Sequence, residues 1–333
     1  MDTLRWGILS VSNHYRMRVH PQIAGPGGGA ANTRIIAIAS RDRQKAEEAA
    51  LELGIPHACG SYEELLARSD IDAVYIPLPN HLHAEWVKKA ADAGKHVLCE
   101  KPFALDAHQA AEALAHAQTR GVKVMEAFMY RFHPQWVHAR EVVRSGEIGR
   151  VMFMHVQFSF NNRDPRNIRN ILEAGGGAIM DIGCYACSSS RFIMGKEPLR
   201  ALSLVRRDAE FRTDALSAGV LDFGGAHALF SVSTQSFPSQ RVEIVGSSGS
   251  ISIVIPFNMY ADVPAEVQIV TGVGPRTVRH GPAAQYRLMF EAFSRAVLEQ
   301  KPVPTPPEDA VANMKAIDAL FRSEKSGGWE LVR

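Results

Sequence analysis

The feature that most constrains the fold is the regular alternation of short apolar strand patterns with helix patterns over the first 125 residues. Short strands separated by helices of this length predict a parallel sheet with right-handed crossovers. Such a doubly wound α/β domain binds nucleotides at the carboxyl ends of its strands. The predicted strands are 4–9, 34–39, 73–76, 96–99 and 123–125, and the predicted helices include 44–53, 84–93 and 107–119.

The pattern changes at about residue 126. One helix pattern, at 134–144, is followed by alternating apolar and polar runs joined by turn-rich segments such as Phe223-Gly224-Gly225. This second part predicts an α+β domain with a large open mixed or antiparallel sheet, closed by helices at about 283–299 and 308–323. A length of 333 residues suits two domains, which we place at 1–125 and 126–333.

Composition excludes several classes of protein. A balance of 37 Lys and Arg against 35 Asp and Glu gives a net charge of +2, too even for a dedicated nucleic-acid binder. Four cysteines in this length form no disulfide framework and suit a reducing compartment. The N-terminal residues do not read as a signal peptide, and no apolar run predicts a membrane span. We therefore expect a cytoplasmic protein with neither a nucleic acid nor a membrane as partner.

The turn after the first strand is where a dinucleotide-binding fingerprint, Gly-x-Gly-x-x-Gly or Ala, is expected. This chain has Ser10-Val11-Ser12-Asn13-His14-Tyr15 there. The glycines of the fingerprint permit a tight turn and close approach of the backbone to a pyrophosphate. Serine is a small polar substitute, although an ordinary loop with a serine cap explains the same residues equally well. The candidate cofactor contacts in this turn are Ser10, Ser12, Asn13 and His14.

The end of the second strand favours one nicotinamide cofactor over the other. An acidic residue at this point binds the ribose hydroxyls of NAD, whereas an arginine suits the extra phosphate of NADP. Here the strand ends in Ser40-Arg41, with Asp42 displaced beyond them. A hydroxyl beside a guanidinium matches a phosphate monoester. The alternative is a helix N-terminus capped by Ser40 or Asp42. We favour NADP as the cofactor over NAD.

Polar residues also follow two further strands. Both segments fall on the ligand-binding edge of a doubly wound sheet. A lysine after a buried-looking strand is read as a site residue rather than as a surface lysine in a turn. The candidates for cofactor contact are Pro77, Leu78, Asn80 and His83 after one strand, and Glu100 and Lys101 after the next.

The segment Gly175-Gly176-Gly177 to Tyr185 places a carboxylate and a phenol four residues apart. If Asp181 opens or lies on a helix, Tyr185 follows one turn later on the same face, where both can share a substrate hydroxyl. A phenol has an ordinary pKa of about 10, so acid–base chemistry near neutrality needs a nearby cation. Lys101 is a candidate for that cation. From the residues alone, a capping aspartate and a packed tyrosine explain the segment better.

Other patterns indicate no chemistry. The histidines are scattered and the Cys184–Cys187 pair has no second half-site, so we expect no metal site. A Gly-x-Ser-x-Gly nucleophile elbow is missing. The glycine-rich residues 25–29 follow a helix instead of opening one and are interpreted as a flexible connection.

Taken together, these motifs resemble the Gfo/Idh/MocA oxidoreductase family. The combination of Glu-Lys-Pro with Gly-Gly-Gly…Asp-x-Gly-x-Tyr is specific, and beyond Tyr185 only the strand pattern agrees. The most similar branch contains glucose–fructose oxidoreductase, NADP-dependent aldose (xylose) dehydrogenases, dimeric dihydrodiol dehydrogenase and sugar-nucleotide ketoreductases. The residues that carry the resemblance are Trp6-Gly7-Ile8-Leu9-Ser10, Ala39-Ser40-Arg41-Asp42, Pro79-Asn80-x-x-His83, Glu100-Lys101-Pro102, and the segments 126–135 and 175–185.

The resemblance implies an NADP-binding Rossmann domain at 1–125 and, at 126–333, a domain that binds substrate and mediates oligomerisation. Family members move a hydride between nicotinamide and a ring or carbinol carbon of a sugar or polyol. The expected partners are therefore a small sugar or polyol and further copies of this chain, as a homodimer or homotetramer formed through the second sheet.

The resemblance also assigns catalytic roles. Lys101 matches the lysine that touches the substrate hydroxyl and supports proton transfer, Tyr185 matches the acid–base position, and Asp181 would orient the reacting hydroxyl. Arg131, Arg163 and Arg169 are candidate substrate contacts, with surface salt bridges as the alternative for each. Ser10, Ser12 and Tyr15 depart from the fingerprint, which predicts a weaker or differently posed pyrophosphate contact.

Three readings of function follow. The favoured one is an NADP-dependent oxidoreductase acting on the CH–OH group of a sugar or polyol, including dihydrodiol dehydrogenase or sugar-nucleotide ketoreductase variants. The second is a non-catalytic NADP-binding sensor, which would have no need to keep Lys101, Asp181 and Tyr185 together. The third is a variant that uses bound NAD for redox-neutral elimination or hydrolysis, which the Ser40-Arg41 pair disfavours.

Overall fold

The computed structural model describes residues 3–24 and 29–333. Most of the glycine-rich connection, at 25–28, therefore lies outside the described residues. The chain divides into two compact units. The first comprises Met1–Met129 and Ala284–Val311, and the second comprises Tyr130–Ala283 and Ala312–Arg333.

The described residues, 3–24 and 29–333, give the first unit a six-stranded sheet of order β3-β2-β1-β4-β5-β6. Every neighbouring pair of strands is parallel. The order reverses between β1 and β4, which is the arrangement of a doubly wound nucleotide-binding sheet, and the predicted fold class is confirmed for this unit. The strands are β1 (Leu4–Leu9), β2 (Thr33–Ala39), β3 (His57–Cys59), β4 (Ala73–Ile76), β5 (His96–Cys99) and β6 (Val124–Glu126).

Helices cross between these strands, and local side chains fix where they begin. The carboxylates of Asp42 and Asp106 and the hydroxyl of Ser61 each accept a hydrogen bond from a backbone N–H in the first turn of the helix that follows. Gly54 ends one helix in the left-handed conformation. The crossover helices are α1 (His20–Ala24), which follows a π-helical turn at Tyr15–Val19, α2 (Arg43–Leu53), α3 (Tyr62–Leu66), α4 (His83–Asp92) and α5 (Ala107–Thr119).

A helix from late in the chain, α8 (Gln285–Leu298), completes the first unit. The Trp6 indole ring lies 4.7 Å from the ring of Phe290 and 5.4 Å from that of Phe293, and its N–H donates to the Ser294 hydroxyl at 3.1 Å. Because of this packing, residues 284–311 belong to the first unit. The expected first domain, 1–125, does not include them. Strand β6 also continues one residue past that boundary.

The second unit is built on a nine-stranded sheet of order β14-β13-β12-β11-β7-β10-β9-β8-β15. The pair β7–β10 is parallel and the other pairs are antiparallel, so the predicted open mixed sheet is confirmed. Its strands are β7 (Val151–Asn161), β8 (Arg200–Arg207), β9 (Asp214–Asp222), β10 (His227–Ser233), β11 (Gln235–Gly246), β12 (Gly249–Ile253), β13 (Ala265–Thr271), β14 (Gly274–His280) and β15 (Glu330–Leu331).

Two helices belong wholly to the second unit, α6 (Pro134–Arg144) and α7 (Cys184–Met194). The first residues of α9 (Glu308–Ser326), up to Val311, are assigned to the first unit and the rest of the helix to the second. The sequence pattern does not predict β3 or β14 as separate strands. Among the described helices, none has an apolar stretch suited to crossing a bilayer.

Candidate functional site

The carboxyl edge of the first sheet gathers most of the predicted cofactor residues. Ser10 follows β1, Ser40 follows β2, Pro77 follows β4 and Glu100 follows β5. Because the strands are parallel, all four positions lie at the same edge, with the change of strand order between β1 and β4. The fold therefore brings these segments together as the sequence predicts.

In the turn after β1, a serine adopts a backbone conformation that is typical of glycine. Ser10 adopts a φ of 155°, a conformation that side-chain-bearing residues rarely take. The hydroxyl of Ser12 accepts a hydrogen bond from the Tyr15 N–H at 3.3 Å, so it caps the turn. Tyr15 is fully buried, its hydroxyl lacks a hydrogen-bond partner among the described residues, and burial raises the pKa of Tyr15 well above its ordinary value. Its ring fills the interior beneath the turn.

A cluster of four polar side chains connects this turn to the end of β5. The Tyr75 hydroxyl donates to Glu100 Oε1 at 2.5 Å, and His14 Nε2 lies 3.5 Å from the same oxygen. The Tyr286 hydroxyl, from α8, lies 3.5 Å from His14 Nε2. Burial alone would raise the pKa of Glu100, but His14, Lys101 and Tyr75 outweigh it and lower that pKa. The carboxylate of Glu100 is therefore kept ionised inside the protein.

Two arginines follow β2, Arg41 and Arg43, and they differ in their interaction partners. Arg43 donates to Glu64 Oε2 at 2.7 Å, and the same oxygen accepts the Gly60 N–H at 2.8 Å. Arg41 is exposed, and within residues 3–24 and 29–333 no carboxylate forms an ion pair with it. The charge of Arg43 is thus satisfied within the protein, whereas the charge of Arg41 is presented to solvent.

The hydroxyl of Ser40 accepts the Asp42 N–H at 3.2 Å, and Asp42 caps α2 through the Lys45 N–H at 3.3 Å. The capping alternative is therefore observed, and it leaves Arg41 on the outer side of the turn. Burial raises the pKa of Tyr62, at the start of α3, while the adjacent Arg41 opposes that rise. The sequence analysis did not find Glu64, Gly60 or Tyr62, because nothing local to those residues links them to β2.

His83 connects the two other strand-end segments. Its ring nitrogens lie 2.8 Å from the carbonyl oxygens of Leu78 and Pro102, and the side chain is completely buried. Burial lowers the pKa of His83, against the two carbonyl contacts. The ring therefore holds the turn that carries Leu78 to the turn that carries Lys101. Asn80 begins a 3-10 turn, and Lys101 lies half-buried before Pro102.

In the second unit, Asp181 lies in a π-helical turn, Ile179–Gly183, that leads directly into α7. Tyr185 is the second residue of α7 and lies four positions after Asp181. The Asp181 Oδ2 atom accepts a hydrogen bond from Arg169 Nε at 2.7 Å. Asp181 and Tyr185 thus lie four residues apart in successive helical segments, and the Asp181 carboxylate has an arginine beside it.

The glycines before Asp181 are required by close packing. A Cβ on Gly176 would lie 2.5 Å from the Arg169 carbonyl oxygen. Gly177 has a φ of 116°, and a Cβ there would lie 1.9 Å from Asp214 Oδ1. Only residues without a side chain allow the backbone to pass this close to Asp214, the first residue of β9.

Asp214 fixes the start of the turn. Its Oδ2 atom accepts the Ile179 N–H at 2.6 Å and the Ser217 hydroxyl at 3.0 Å. Burial raises the pKa of Asp214 to about 6, although both hydrogen bonds oppose the rise. Sequence reasoning missed this residue, since it lies 35 positions from the backbone that it holds.

Aromatic side chains surround Tyr185. Its ring centre lies 5.0 Å from that of Phe257, 5.8 Å from that of Phe158 and 6.0 Å from that of Tyr130. The segment that bears Phe257 is held by Trp136, whose indole N–H donates to the Pro256 carbonyl at 2.6 Å. The phenol is therefore only 4% exposed and its ring has little freedom to move.

The three predicted substrate-binding arginines differ in their surroundings. Arg131 is buried and donates to the Ser188 hydroxyl at 2.8 Å. Arg163 donates to the Gln235 side chain at 3.0 Å and lies 3.5 Å from Asp208. Arg169 donates to Asp181, one of the predicted catalytic residues, at 2.7 Å. In the described residues, no cluster of His, Cys, Asp and Glu suits a metal ion.

Chemically, the first unit offers an exposed guanidinium, a serine turn and an ionised carboxylate along one strand edge. The second unit offers a carboxylate and a phenol one helical turn apart. An edge of this kind suits a phosphorylated dinucleotide, and the carboxylate–phenol pair suits the orientation and proton transfer of a substrate hydroxyl.

Two family models match the chain. Residues 14–128 match the oxidoreductase family with an NAD-binding Rossmann fold, and residues 136–252 match the GFO/IDH/MocA C-terminal domain. Together they cover most of both units.

Individual proteins match over nearly their whole length. An oxidoreductase from Rhizobium meliloti is 40% identical over 338 residues, covering 100% of each chain. The D-xylose 1-dehydrogenase (NADP(+)) 2 of Haloferax volcanii is 41% identical, covering 87% of this chain and 90% of its own. A crystal structure of a 3-ketoreductase from Actinomadura kijaniata, in complex with NADP and TDP-benzene, has a TM-score of 0.89 at 28% identity, covering 97% of this chain and 98% of the other.

Proposed function

The chain belongs to the Gfo/Idh/MocA oxidoreductase family, and from this premise we propose that it is an NADP(H)-dependent oxidoreductase of sugars. It transfers a hydride between nicotinamide and the hydroxyl-bearing or carbonyl carbon of an aldose, a pyranose or a related polyol. The substrate and cofactor named for the Haloferax volcanii relative support both parts of this proposal.

The proposal rests on one observation: Arg41 is exposed and forms no ion pair with a carboxylate of the described residues. Its guanidinium is exposed at the carboxyl end of β2, where the ribose of a dinucleotide lies in this fold. Arg43, two residues on, is paired with Glu64. An arginine without a carboxylate partner at this point favours a 2′-phosphate over bare ribose hydroxyls.

The residues present fit the cofactor. Ser10 keeps the glycine-type backbone that a pyrophosphate turn needs, and Ser40 and Arg41 suit the 2′-phosphate. The remaining cofactor contacts in the proposal are Ser12, Asn13, His14, Pro77, Leu78, Asn80, His83, Glu100 and Lys101. When bound, NADP accepts or returns a hydride at the nicotinamide ring.

The chain's own residues handle the substrate proton. Tyr185 takes the proton from the substrate hydroxyl during oxidation and gives it to the carbonyl oxygen during reduction. Lys101 is the proposed catalytic lysine that supports proton transfer. Asp181, paired with Arg169 at 2.7 Å, orients the reacting hydroxyl by accepting its hydrogen bond. Arg131 and Arg163 remain candidate substrate contacts.

Sugar-nucleotide reduction is the second candidate, because reductases of dTDP-linked deoxyhexoses are 32–34% identical to this chain. Dihydrodiol dehydrogenases, at 31–32% identity, suggest a smaller hydrophobic diol. The higher identity of the xylose dehydrogenase, 41%, favours a free aldose.

The test is a screen for NADPH formation from NADP⁺ with aldoses, polyols, dihydrodiols and sugar nucleotides. The wild type should oxidise an aldose, and Tyr185→Phe should lower kcat by about 10²–10⁴-fold while NADPH binding is retained. Full turnover in Tyr185→Phe contradicts the assignment of the acid–base residue. Tight NADPH binding without turnover of any substrate would favour a sensor.

We further propose that the protein assembles through the outer face of its nine-stranded sheet and works in the cytoplasm. Phe153, Val220, Leu229 and Trp329 line an open groove of about 540 Å³ on the second unit. All four cysteines are free and buried, which suits a reducing compartment. Light scattering should give the mass of a dimer or tetramer for the wild type and a smaller mass for Leu229→Asp.

A further inference from the structure

We propose that Glu126, the last residue of β6, is a positioning residue for proton transfer, because its carboxyl group fixes the turn that carries Lys101. The proposal rests on the proposed function, since it takes Lys101 as the lysine that supports proton transfer. Its consequence is that removal of the Glu126 carboxyl group slows the reaction only while Lys101 is present.

The parallel sheet brings Glu126 beside this turn. Glu126 is paired in register with Cys99, the last residue of β5, and the Ala127 N–H donates to the Cys99 carbonyl oxygen at 2.8 Å. Lys101 follows Cys99 by two residues. The end of β6 and the start of the turn that carries Lys101 therefore lie side by side at the carboxyl edge of the first sheet.

We call residues 100–103 the lysine turn, and hydrogen bonds fix its first half. The Glu100 N–H donates to the carbonyl oxygen of Ile76, at the end of β4, at 3.2 Å. The Lys101 N–H donates to Glu100 Oε2 at 3.3 Å. The backbone on the amino-terminal side of the lysine is thus held by the neighbouring strand and by the preceding side chain.

The second half of the lysine turn is fixed by two buried side chains from other elements. The Pro102 carbonyl oxygen lies 2.8 Å from His83 Nδ1. The Phe103 N–H donates to Glu126 Oε1 at 2.9 Å, and both residues are buried. Glu126 therefore holds the backbone on the carboxyl-terminal side of the lysine, and loss of its carboxyl group would release that side of the turn.

A carboxyl group at this position is costly for the fold. Glu126 is only 2% exposed and follows two buried apolar residues, Val124 and Met125. An apolar side chain there would avoid the free-energy cost of desolvating a carboxyl group, and glutamate is rarely buried this completely. An apolar residue, however, could not accept the Phe103 N–H. The residue type is explained by its hold on the lysine turn.

The thiol beside Glu126 does not explain the residue. Burial raises the pKa of Cys99 well above its ordinary value, and the carboxylates of Glu126 and Glu100 raise it further. The Cys99 thiol therefore stays protonated near neutral pH and transfers no proton. Lys101 is the residue of this segment through which a displacement of the turn would reach the chemistry.

The experiment is a double-mutant cycle on kcat, measured as NADPH formation from NADP⁺ and D-xylose, or the aldose that the wild type oxidises fastest. Glu126→Ala should lower kcat by about 10–100-fold, because a misplacement of about 1 Å can cost about 10²-fold in rate. In the Lys101→Ala background, the same substitution should change kcat by less than about twofold, because no lysine remains to be positioned.

Asp106→Ala is the matched control. The Asp106 Oδ1 atom also accepts a backbone N–H, that of Gln109, at 2.8 Å, and Asp106 lies three residues after the lysine turn. Its replacement should lower the Tm through loss of the α5 cap, and its effect on kcat should be the same with and without Lys101. Glu126→Ala should lower the Tm as well, so the coupling to Lys101 separates positioning from stability.

Two conservative variants separate position from charge, and they decide the question if Glu126→Ala does not fold. Glu126→Gln keeps an oxygen acceptor at the same reach and should retain kcat within about threefold. Glu126→Asp keeps the charge but withdraws the acceptor by one methylene, and it should lower kcat about tenfold. Higher activity in Glu126→Asp than in Glu126→Gln would overturn the inference in favour of an effect of charge.

A loss of kcat by the same factor with and without Lys101 overturns the inference and leaves the proposed function intact. Failure of the wild type to oxidise any sugar with NADP⁺ overturns the proposed function and the inference with it.

Discussion

The carboxylate of Asp214, at the start of β9, lies 2.6 Å from the backbone N–H of Ile179, two residues before Asp181. A sheet residue therefore fixes the turn that carries the proposed catalytic carboxylate and, four residues later, the proposed acid–base phenol. The position of the pair depends on the sheet as well as on the local helix.

Asp214→Asn should change how the stability of the protein depends on pH. Burial raises the pKa of Asp214 from 3.8 to about 6, so between these values the folded chain binds more protons than the unfolded chain. The stability contribution of Asp214 is full below about pH 4 and is lost as the pH rises through 6. From pH 4 to 7, urea unfolding should show the wild type losing on the order of 2–3 kcal/mol relative to the variant. Parallel stability curves would contradict this.

His133→Asn should have the opposite dependence. His133 is buried, and its Nδ1 accepts the Gln135 N–H at the start of α6. Burial, together with His280, lowers the pKa of His133 to about 4, so its stability contribution is present above about pH 6.5 and lost as the pH falls through 4. Asparagine keeps a cap without titrating.

Between about pH 7 and pH 4, the wild type should lose on the order of 2–3 kcal/mol more than His133→Asn. The control is His108→Asn, an exposed histidine whose replacement should leave the acid side of the curve unchanged. Equal acid sensitivity of wild type and His133→Asn would show that another group controls it.

Arg41→Ala and Arg43→Ala test the charge difference at the end of β2. Removal of the exposed Arg41 should weaken NADPH binding by about 1.5–3 kcal/mol and leave NADH binding nearly unchanged, because only NADPH carries the 2′-phosphate. Arg43 is paired with Glu64, so its removal should leave the preference for NADPH over NADH in place. Fluorescence titration with both cofactors measures each effect. If Arg43→Ala lost the preference for NADPH over NADH and Arg41→Ala kept it, the 2′-phosphate contact would have to be assigned to Arg43 instead of Arg41.

Substitution of two serines in the turn after β1, Ser10 and Ser12, should change the thermal stability of the protein in opposite directions. Ser10→Gly relieves a backbone conformation that costs about 1–3 kcal/mol for a residue with a side chain, which exceeds the added entropy of glycine in the unfolded chain. Ser12→Ala removes a cap worth about 1 kcal/mol. Thermal unfolding should therefore show a higher Tm for the first variant and a lower one for the second. A lower Tm for Ser10→Gly would show that the serine side chain stabilises the turn.

The sequence predicts those parts of the fold that short-range patterns determine. Strands β1, β4 and β5 are predicted to the residue, because each is a buried apolar run with a clear end. Strand β3 has three residues and includes an exposed histidine, and β14 is an edge strand with charged side chains. Neither has the apolar alternation that identifies a strand.

The candidate site divides in the same way. The rule that parallel strands end at one edge predicts that Ser10, Ser40 and Glu100 meet there. It cannot identify Glu64, Tyr286 or Asp214, since each acts on a residue distant in sequence through a contact that only the folded chain creates.

The position of α8 has a consequence for how the protein is made. Trp6, in the first strand, is buried against Phe290 and Phe293. Its indole N–H donates a hydrogen bond to Ser294, 288 residues later in the chain. A ribosome that has produced all six strands of the first sheet has not yet produced the helix that covers its first tryptophan. The first unit therefore reaches its final packing only after residues 285–298 have been synthesised, and a fragment that ends at Met129 would leave Trp6 without these partners.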